Sequence, residues 1–147
     1  MEDRFTAHQR HVLLAIARVA SKAYQDKWCI REATASEYAL LDEIISDTLE
    51  LVQWNVERRE RAVQRARPDL AAGPWTPVEL KALQRFLDLA GGPFTDIPCH
   101  EASPTIEQLV HEDPRVARIS DAAQACLDAY GVSVALEEIE AADEARS

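Results

Sequence analysis

The sequence predicts an all-α fold: a single domain over residues 1–147, forming a helical bundle of about five to six helices with one long central helix. Apolar residues recur every three or four positions, which is the spacing of one face of a helix. Capping residues precede these segments, and Gly or Pro follows them. No segment has the pattern of a β-hairpin, so we expect no sheet.

Composition agrees with one compact domain. The 147 residues are 47 % apolar, which is enough for a hydrophobic core, and 29 % charged. The longest apolar stretches are too short to cross a bilayer. Glu2, Asp3 and Arg4 follow Met1, and the apolar segment of a secretory signal is absent. We therefore expect a cytoplasmic protein that does not bind membranes.

The first predicted helix starts at Thr6, because Thr6 and Gln9 have the spacing of a capping box. Apolar residues then follow at helical spacing, and the pattern fades near Gln25. We interpret residues 26–33 as a connection that holds Trp28 and Cys29.

The second predicted helix is the longest. It starts near Thr34 or Ser36 and contains no Gly or Pro before Pro68, which ends it at Arg67. At 1.5 Å per residue it would be roughly 45–50 Å long. That is longer than a small core requires, so we expect one end to project or to pair with a second copy. Its apolar face comprises Leu41, Ile44, Ile45, Thr48, Val52 and Val56.

The third predicted helix has the clearest boundaries. Thr76 is its N-cap, Pro77 its first residue, and Glu79 completes a capping box. Gly91 and Gly92 are expected to end it.

Three shorter segments complete the prediction. Ser103 and Asp113, each followed by Pro, start two helices, and Gly131 ends the second. Ser133 caps a last segment, and residues 137–147 are expected to form a frayed acidic tail.

Charge is distributed in blocks along the chain. The formal net charge is −10, yet residues 32–57 hold seven acidic and no basic side chains, whereas residues 58–67 hold five arginines and one glutamate. The long helix is therefore acidic at its start and basic at its end, an order that complements the helix dipole. Helix stability is thus a sufficient explanation for this order. A chain this acidic favours a basic partner over direct binding of nucleic acid.

One tryptophan interrupts an acidic stripe on the long helix. The positions i, i+4, i+7, i+11 and i+14 share a helix face opposite the apolar one. Tryptophan is enriched at interface hot spots. We predict that this stripe binds a partner, although a second helix covering the tryptophan would make it ordinary core. The stripe comprises Glu43, Asp47, Glu50, Trp54 and Glu57.

An arginine cluster follows the stripe. It is short and lies in an acidic chain, so we expect contact with an acidic protein or with the C-terminal tail rather than with nucleic acid. This secondary basic patch comprises Arg58, Arg59, Arg61 and Arg65.

No catalytic, cofactor or metal signature emerges. His8 and His11 lie three residues apart, but two histidines alone are a weak metal site. Cys99 and His100 are adjacent, and adjacent side chains seldom aim at one point. The chain has no CxxC, no Glu-x-x-His and no Gly-rich phosphate loop. We therefore predict no catalytic residues, no metal and no cofactor.

The function predicted from these patterns is binding. We expect a small acidic helical protein that binds and inhibits or regulates a basic protein or nucleoprotein complex, such as one that handles nucleic acid. In size and charge it resembles phage anti-defence and toxin-immunity proteins. Two alternatives stay open: a metal-dependent helical hydrolase using Glu43, Asp47 and Glu50, and a self-assembling structural or chaperone-like subunit with the long helix as dimer interface.

Overall fold

The computed structural model describes residues 4–32, 37–64, 75–97 and 105–145, and within these ranges the chain forms α-helices and no strand. The predicted all-α class is confirmed. Seven α-helices are present in the described ranges, more than the five to six expected, because residues 22–31 are helical too. The helices are α1 (Ala7–Ala20), α2 (Lys22–Gln25), α3 (Glu37–Gln64), α4 (Pro77–Thr95), α5 (Ile106–His111), α6 (Pro114–Ala129) and α7 (Leu136–Ala145).

The predicted caps of α1 and α4 are confirmed. Thr6 Oγ1 accepts a hydrogen bond from the Gln9 backbone N–H at 3.1 Å, and Gln9 Oε1 accepts one from the Thr6 N–H at 2.8 Å. Thr76 and Glu79 form the same reciprocal pair. These local signals determine where a helix begins because they satisfy backbone donors that have no partner within the helix.

The predicted connection over residues 26–33 is wrong for most of its length. The helix α2 continues directly into a π-helical segment, Asp26–Arg31, in which Cys29 is fully buried. Gln25 Nε2 donates to the backbone oxygens of Arg18 at 3.2 Å and Val19 at 2.7 Å. These carbonyls lie at the end of α1, where no backbone N–H of the helix is available to bond to them. The buried Gln25 amide supplies the missing donors and so connects α1 to α2 across the break at Ser21.

The predicted end of α4 is also wrong. The helix continues through Gly91, Gly92 and Pro93 to Thr95. Phe94 and Ile97 pack against the hydrophobic core. Tertiary contacts therefore prolong the helix past residues that would end it in isolation.

The long helix exists, but it is not central. With 28 residues, α3 is the longest of the helices within the described ranges. The most extensive packing joins α6 to α4 and to α1, whereas α3 lies against α1 and α4 at the side. It buries one face and leaves the opposite, charged face exposed, so it could not occupy the centre of a core. The buried positions of that face are Leu41, Ile45, Thr48, Val52 and Val56.

The C-terminal segment is a docked helix rather than a frayed tail. The helix α7 covers Leu136–Ala145 and lies against α1. Ile139 is fully buried in the same hydrophobic core as the other helices. Asp143 forms an ion pair with Arg18 on α1, and Glu140 forms one with Lys27 in the π-helical segment. These two ion pairs explain why this acidic sequence forms a docked helix. None of the helices in the described ranges is long and apolar enough to cross a membrane.

Candidate partner-binding surface

The outward face of α3 carries the predicted acidic stripe. The side chains of Glu43, Asp47 and Glu50 are exposed, and Glu57 is half-buried. Trp54 is 47 % exposed, so no helix of the described chain covers it and the core alternative is wrong. We call these five residues the Trp54 surface. An exposed indole among carboxylates is unusual, because large apolar side chains are normally buried.

Two neighbours hold the indole in place. The His8 ring on α1 meets the Trp54 ring edge to face, with 5.9 Å between centroids and 71° between planes. The Arg58 guanidinium, one turn further along α3, lies 5.4 Å from the centroid of the same ring. Edge-to-face and cation–π contacts each contribute roughly 0.5–1 kcal/mol at exposed sites. Trp54 is therefore exposed but oriented.

A buried amide directly behind Trp54 connects three parts of the chain. Asn55 Nδ2 donates to the Leu51 backbone oxygen at 2.8 Å. Its Oδ1 accepts from Trp75 Nε1 at 2.9 Å and from His8 Nε2 at 3.0 Å. Because an indole N–H can only donate, this orientation of the amide is required, and His8 Nε2 must carry a hydrogen. The hydrogen bond to Asn55 thereby fixes the orientation of the His8 ring that contacts Trp54.

Trp54 separates two grooves. One, of about 670 Å³, lies between α1, α3 and α7, and carries Glu43, Asp47 and Glu50 on its α3 side. The other, of about 480 Å³, lies between α3 and α4 and is bordered by Glu50, Glu57 and Leu87. A partner that contacts the indole therefore has a recess on either side of it.

The inner wall of the larger groove is an ion pair between the largely buried Arg18 and the partly exposed Asp143. Arg18 donates to Asp143 Oδ1 through Nε at 3.0 Å and Nη2 at 2.6 Å, and Tyr24 Oη donates to Oδ2 at 2.8 Å. Burial raises the pKa of the Tyr24 hydroxyl above its ordinary value, and the hydrogen bond to Asp143 adds to this. All polar atoms of the carboxylate are thus satisfied within the fold, so this group shapes the groove rather than offering free charge.

Three carboxylates of the Trp54 surface, those of Glu43, Asp47 and Glu50, are not neutralised in the same way. Asp26, Asp113, Glu140 and Asp143 pair with basic groups of the chain. Within the described residues, Glu43, Asp47 and Glu50 have no ion pair or side-chain hydrogen bond. Their charge is available to an external cation.

The basic patch is only partly described. Arg58 is exposed and stacks on Trp54. Arg59 and Arg61 belong to α3, but their side chains lie outside the described set, as does Arg65 altogether. The structure therefore joins the acidic stripe and the patch at one residue, Arg58.

The metal-ligand candidates among the described residues do not assemble into a site. His8 bonds to Asn55, and His11 borders the larger groove. Across the described ranges no three His, Cys, Asp or Glu side chains are placed to hold a metal ion, so the hydrolase alternative has no site there. Cys99 and His100 lie outside the described residues.

The two described cysteines are buried and free. Burial raises the pKa of the Cys29 thiol to about 11 and that of Cys126 to about 12. Because the thiolate is the reactive form, both groups are unreactive near neutral pH.

The chain matches no family model, no curated protein and no solved structure. The sequence indicated the five residues of this surface through their spacing. It did not indicate Asn55, whose partners His8 and Trp75 lie 47 and 20 residues away along the chain.

Proposed function

We propose that the Trp54 surface binds a basic segment of a macromolecular partner and thereby inhibits or regulates that partner. The observation that carries the proposal is the oriented, 47 % exposed indole of Trp54 among three carboxylates that have no partner in the described chain. Binding hot spots commonly combine an aromatic anchor with surrounding polar groups. Here the aromatic anchor is already held by His8 and Arg58, so little ordering is required on binding.

Charge defines the class of partner. Unpaired carboxylates repel acidic surfaces and attract Lys or Arg, and a net charge of −10 steers basic proteins toward the chain. Carboxylates three and four residues apart on a helix are spaced by roughly 5 Å along its axis. Such a row presents regularly spaced negative charges, as a phosphate backbone does. We therefore propose a nucleic-acid-handling complex as the partner, inhibited in the manner of anti-defence or immunity proteins.

A capture experiment tests the proposal. Tagged chain is incubated with nuclease-treated lysate at low and moderate salt, and captured proteins are identified by mass spectrometry. We expect a basic complex that is lost with Trp54→Ala, since truncating a hot-spot residue costs about 2 kcal/mol or more of binding. The triple variant E43K/D47K/E50K should also lose it, and wild-type capture should weaken with salt.

Matched controls separate binding from folding. Leu89 on α4 is 46 % exposed, close to the exposure of Trp54, so Leu89→Ala removes comparable exposed apolar surface elsewhere. The exposed residues Asp88, Asp121 and Asp128 allow a second triple reversal to Lys with the same change of charge. The proposal would be refuted if Trp54→Ala and E43K/D47K/E50K captured as much of the complex as the wild type does. It would also be refuted if the control variants lost as much of the complex as these two variants do.

A further inference from the structure

The charges in the sequence around Trp54 are antisymmetric about this residue. Positions four, seven and eleven residues before Trp54 are acidic, and positions four, seven and eleven residues after it are arginine. At 3.6 residues per turn, the five of these positions that belong to α3 lie within about 40° of Trp54 around the helix. The acidic positions are Glu50, Asp47 and Glu43, and the basic ones are Arg58, Arg61 and Arg65; the side chain of Arg61 and the whole of Arg65 lie beyond the described part of the chain.

We propose that this face pairs with the same face of a second copy in an antiparallel homodimer with its twofold axis at Trp54. In such a pair, a residue a given number of positions before Trp54 in one copy lies level with the residue the same number of positions after Trp54 in the other copy. Glu50 of one copy then faces Arg58 of the other, and the twofold repeats the pair. Asp47 lies level with position 61 in the same way. Opposite charges therefore face each other at the two Glu50–Arg58 pairs, and Glu57, the remaining acidic residue of the Trp54 surface, lies level with the uncharged Leu51.

The described geometry leaves this face open. Glu43, Asp47, Glu50 and Arg58 are all exposed, and the three acidic groups have no ion pair within the described chain. Trp54 lies at the axis, where its indole meets that of the second copy and supplies the apolar centre of the contact. Arg58 already lies over the Trp54 ring, so its guanidinium is placed next to the partner copy's Glu50.

A parallel arrangement would not be stable. It would place each acidic residue beside the same acidic residue of the second copy, and each arginine beside the same arginine, so like charges would repel. The antiparallel arrangement also opposes the two helix dipoles. The charge pattern therefore selects both the orientation and the register of the pair.

This dimer does not depend on the proposed function, but the two use the same carboxylates. A basic partner and a second copy therefore compete for the Trp54 surface. The oligomeric state of the pure chain tests the dimer without any partner.

Charge exchange at one matched pair provides the test. Sedimentation equilibrium is measured at low salt for the wild type, Glu50→Arg, Arg58→Glu, the double variant E50R/R58E and an equimolar mixture of the two single variants. Each single variant opposes like charges twice across the axis, so we expect its dimer dissociation constant to rise at least tenfold. The double variant and the mixture restore opposite charges at both pairs, so their dissociation constants should return to within about threefold of wild type.

Two further measurements complete the design. Raising the salt from about 20 to 300 mM shortens the screening length and should weaken the wild-type dimer about tenfold or more. Asp128→Arg, on the exposed face of α6, makes the same charge change away from α3 and should leave dimerisation unchanged. A wild-type chain that stays monomeric at millimolar concentration and low salt would overturn the proposal. So would single variants that dimerise like wild type, or single variants that are weakened and not rescued by their mixture.

Discussion

Asn55 joins α1, α3 and Trp75 through a single side chain. It is 5 % exposed and bonds to His8, Leu51 and Trp75 at once. Trp54, the adjacent residue, projects to the opposite side and is half exposed. Two neighbouring positions on one helix therefore separate the roles: Asn55 holds the fold together behind the surface, and Trp54 presents that surface.

We expect Asn55→Ala to lower the free energy of unfolding by about 2 kcal/mol. The substitution removes the acceptor of the buried Trp75 indole N–H, and an unsatisfied buried donor costs roughly 1–3 kcal/mol. Urea unfolding followed by circular dichroism measures the change. Gln53→Ala is the control, since Gln53 is exposed and bonds only within the same helix, and it should change stability by about 0.5 kcal/mol or less. An equal effect of both substitutions would show that the Asn55 junction does not stabilise the fold.

At the scale of elements, the docking of α7 determines the shape of the larger groove. The helix is held by the buried apolar side chain of Ile139 and by two ion pairs, Arg18–Asp143 and Lys27–Glu140. Asp143 also forms part of the groove lining. The same acidic residues that suggested a frayed tail are thus the groups that attach the helix.

We expect Asp143→Ala to lower the free energy of unfolding by about 1–3 kcal/mol. The Arg18 side chain is 9 % exposed, so removing its carboxylate leaves a largely buried charge unpaired. Because the Asp143 side chain is 34 % exposed, solvent screens the pair, and the expected loss of unfolding free energy is smaller than for a fully buried ion pair. Glu144→Ala is the control, because Glu144 is exposed and adjacent. Hydrogen exchange of the α7 amides should accelerate with Asp143→Ala and not with Glu144→Ala, and the opposite order would contradict this role.

At the scale of the whole molecule, four buried weak acids among the described residues make the fold sensitive to alkali. Burial raises the pKa of Tyr24 and Tyr130 above the ordinary value of 10.0, and raises that of Cys29 to about 11 and Cys126 to about 12 from 9.0. Above pH 9 the unfolded chain loses protons that the folded chain keeps. The folded state then binds more protons, so its stability falls as the pH rises.

We expect the free energy of unfolding to be flat near pH 8 and to fall between pH 9 and 11. Each thiol contributes a slope of up to about 1.4 kcal/mol per pH unit in this window. Urea midpoints measured across the range test the sign and the slope. Cys126→Ala removes one titrating thiol, so its slope should be shallower than that of the wild type whatever its stability at pH 7. Stability that rises with pH above 9, or an unchanged slope in the variant, would contradict the assignment.

The sequence by itself determined the helical class, the caps of α1 and α4, and the register of the Trp54 surface. These features depend on residues within one to four turns of each other, and the repeat of the helix relates them directly. It also determined the antisymmetric charges about Trp54, because these are residue types at fixed positions and five of the six positions belong to the unbroken helix α3.

Only the tertiary structure decided the helical course of residues 22–31, the extension of α4 past Gly91, the docking of α7 and the lateral place of α3. Each depends on partners distant along the chain, as in the Arg18–Asp143 pair, whose members are 125 residues apart. Local preference disfavours a helix at Gly91 and leaves α7 to fray, but burial of Phe94 and Ile139 outweighs these preferences. The exposure of Trp54 was decided in the same way, because whether a side chain is covered depends on which helices pack beside it.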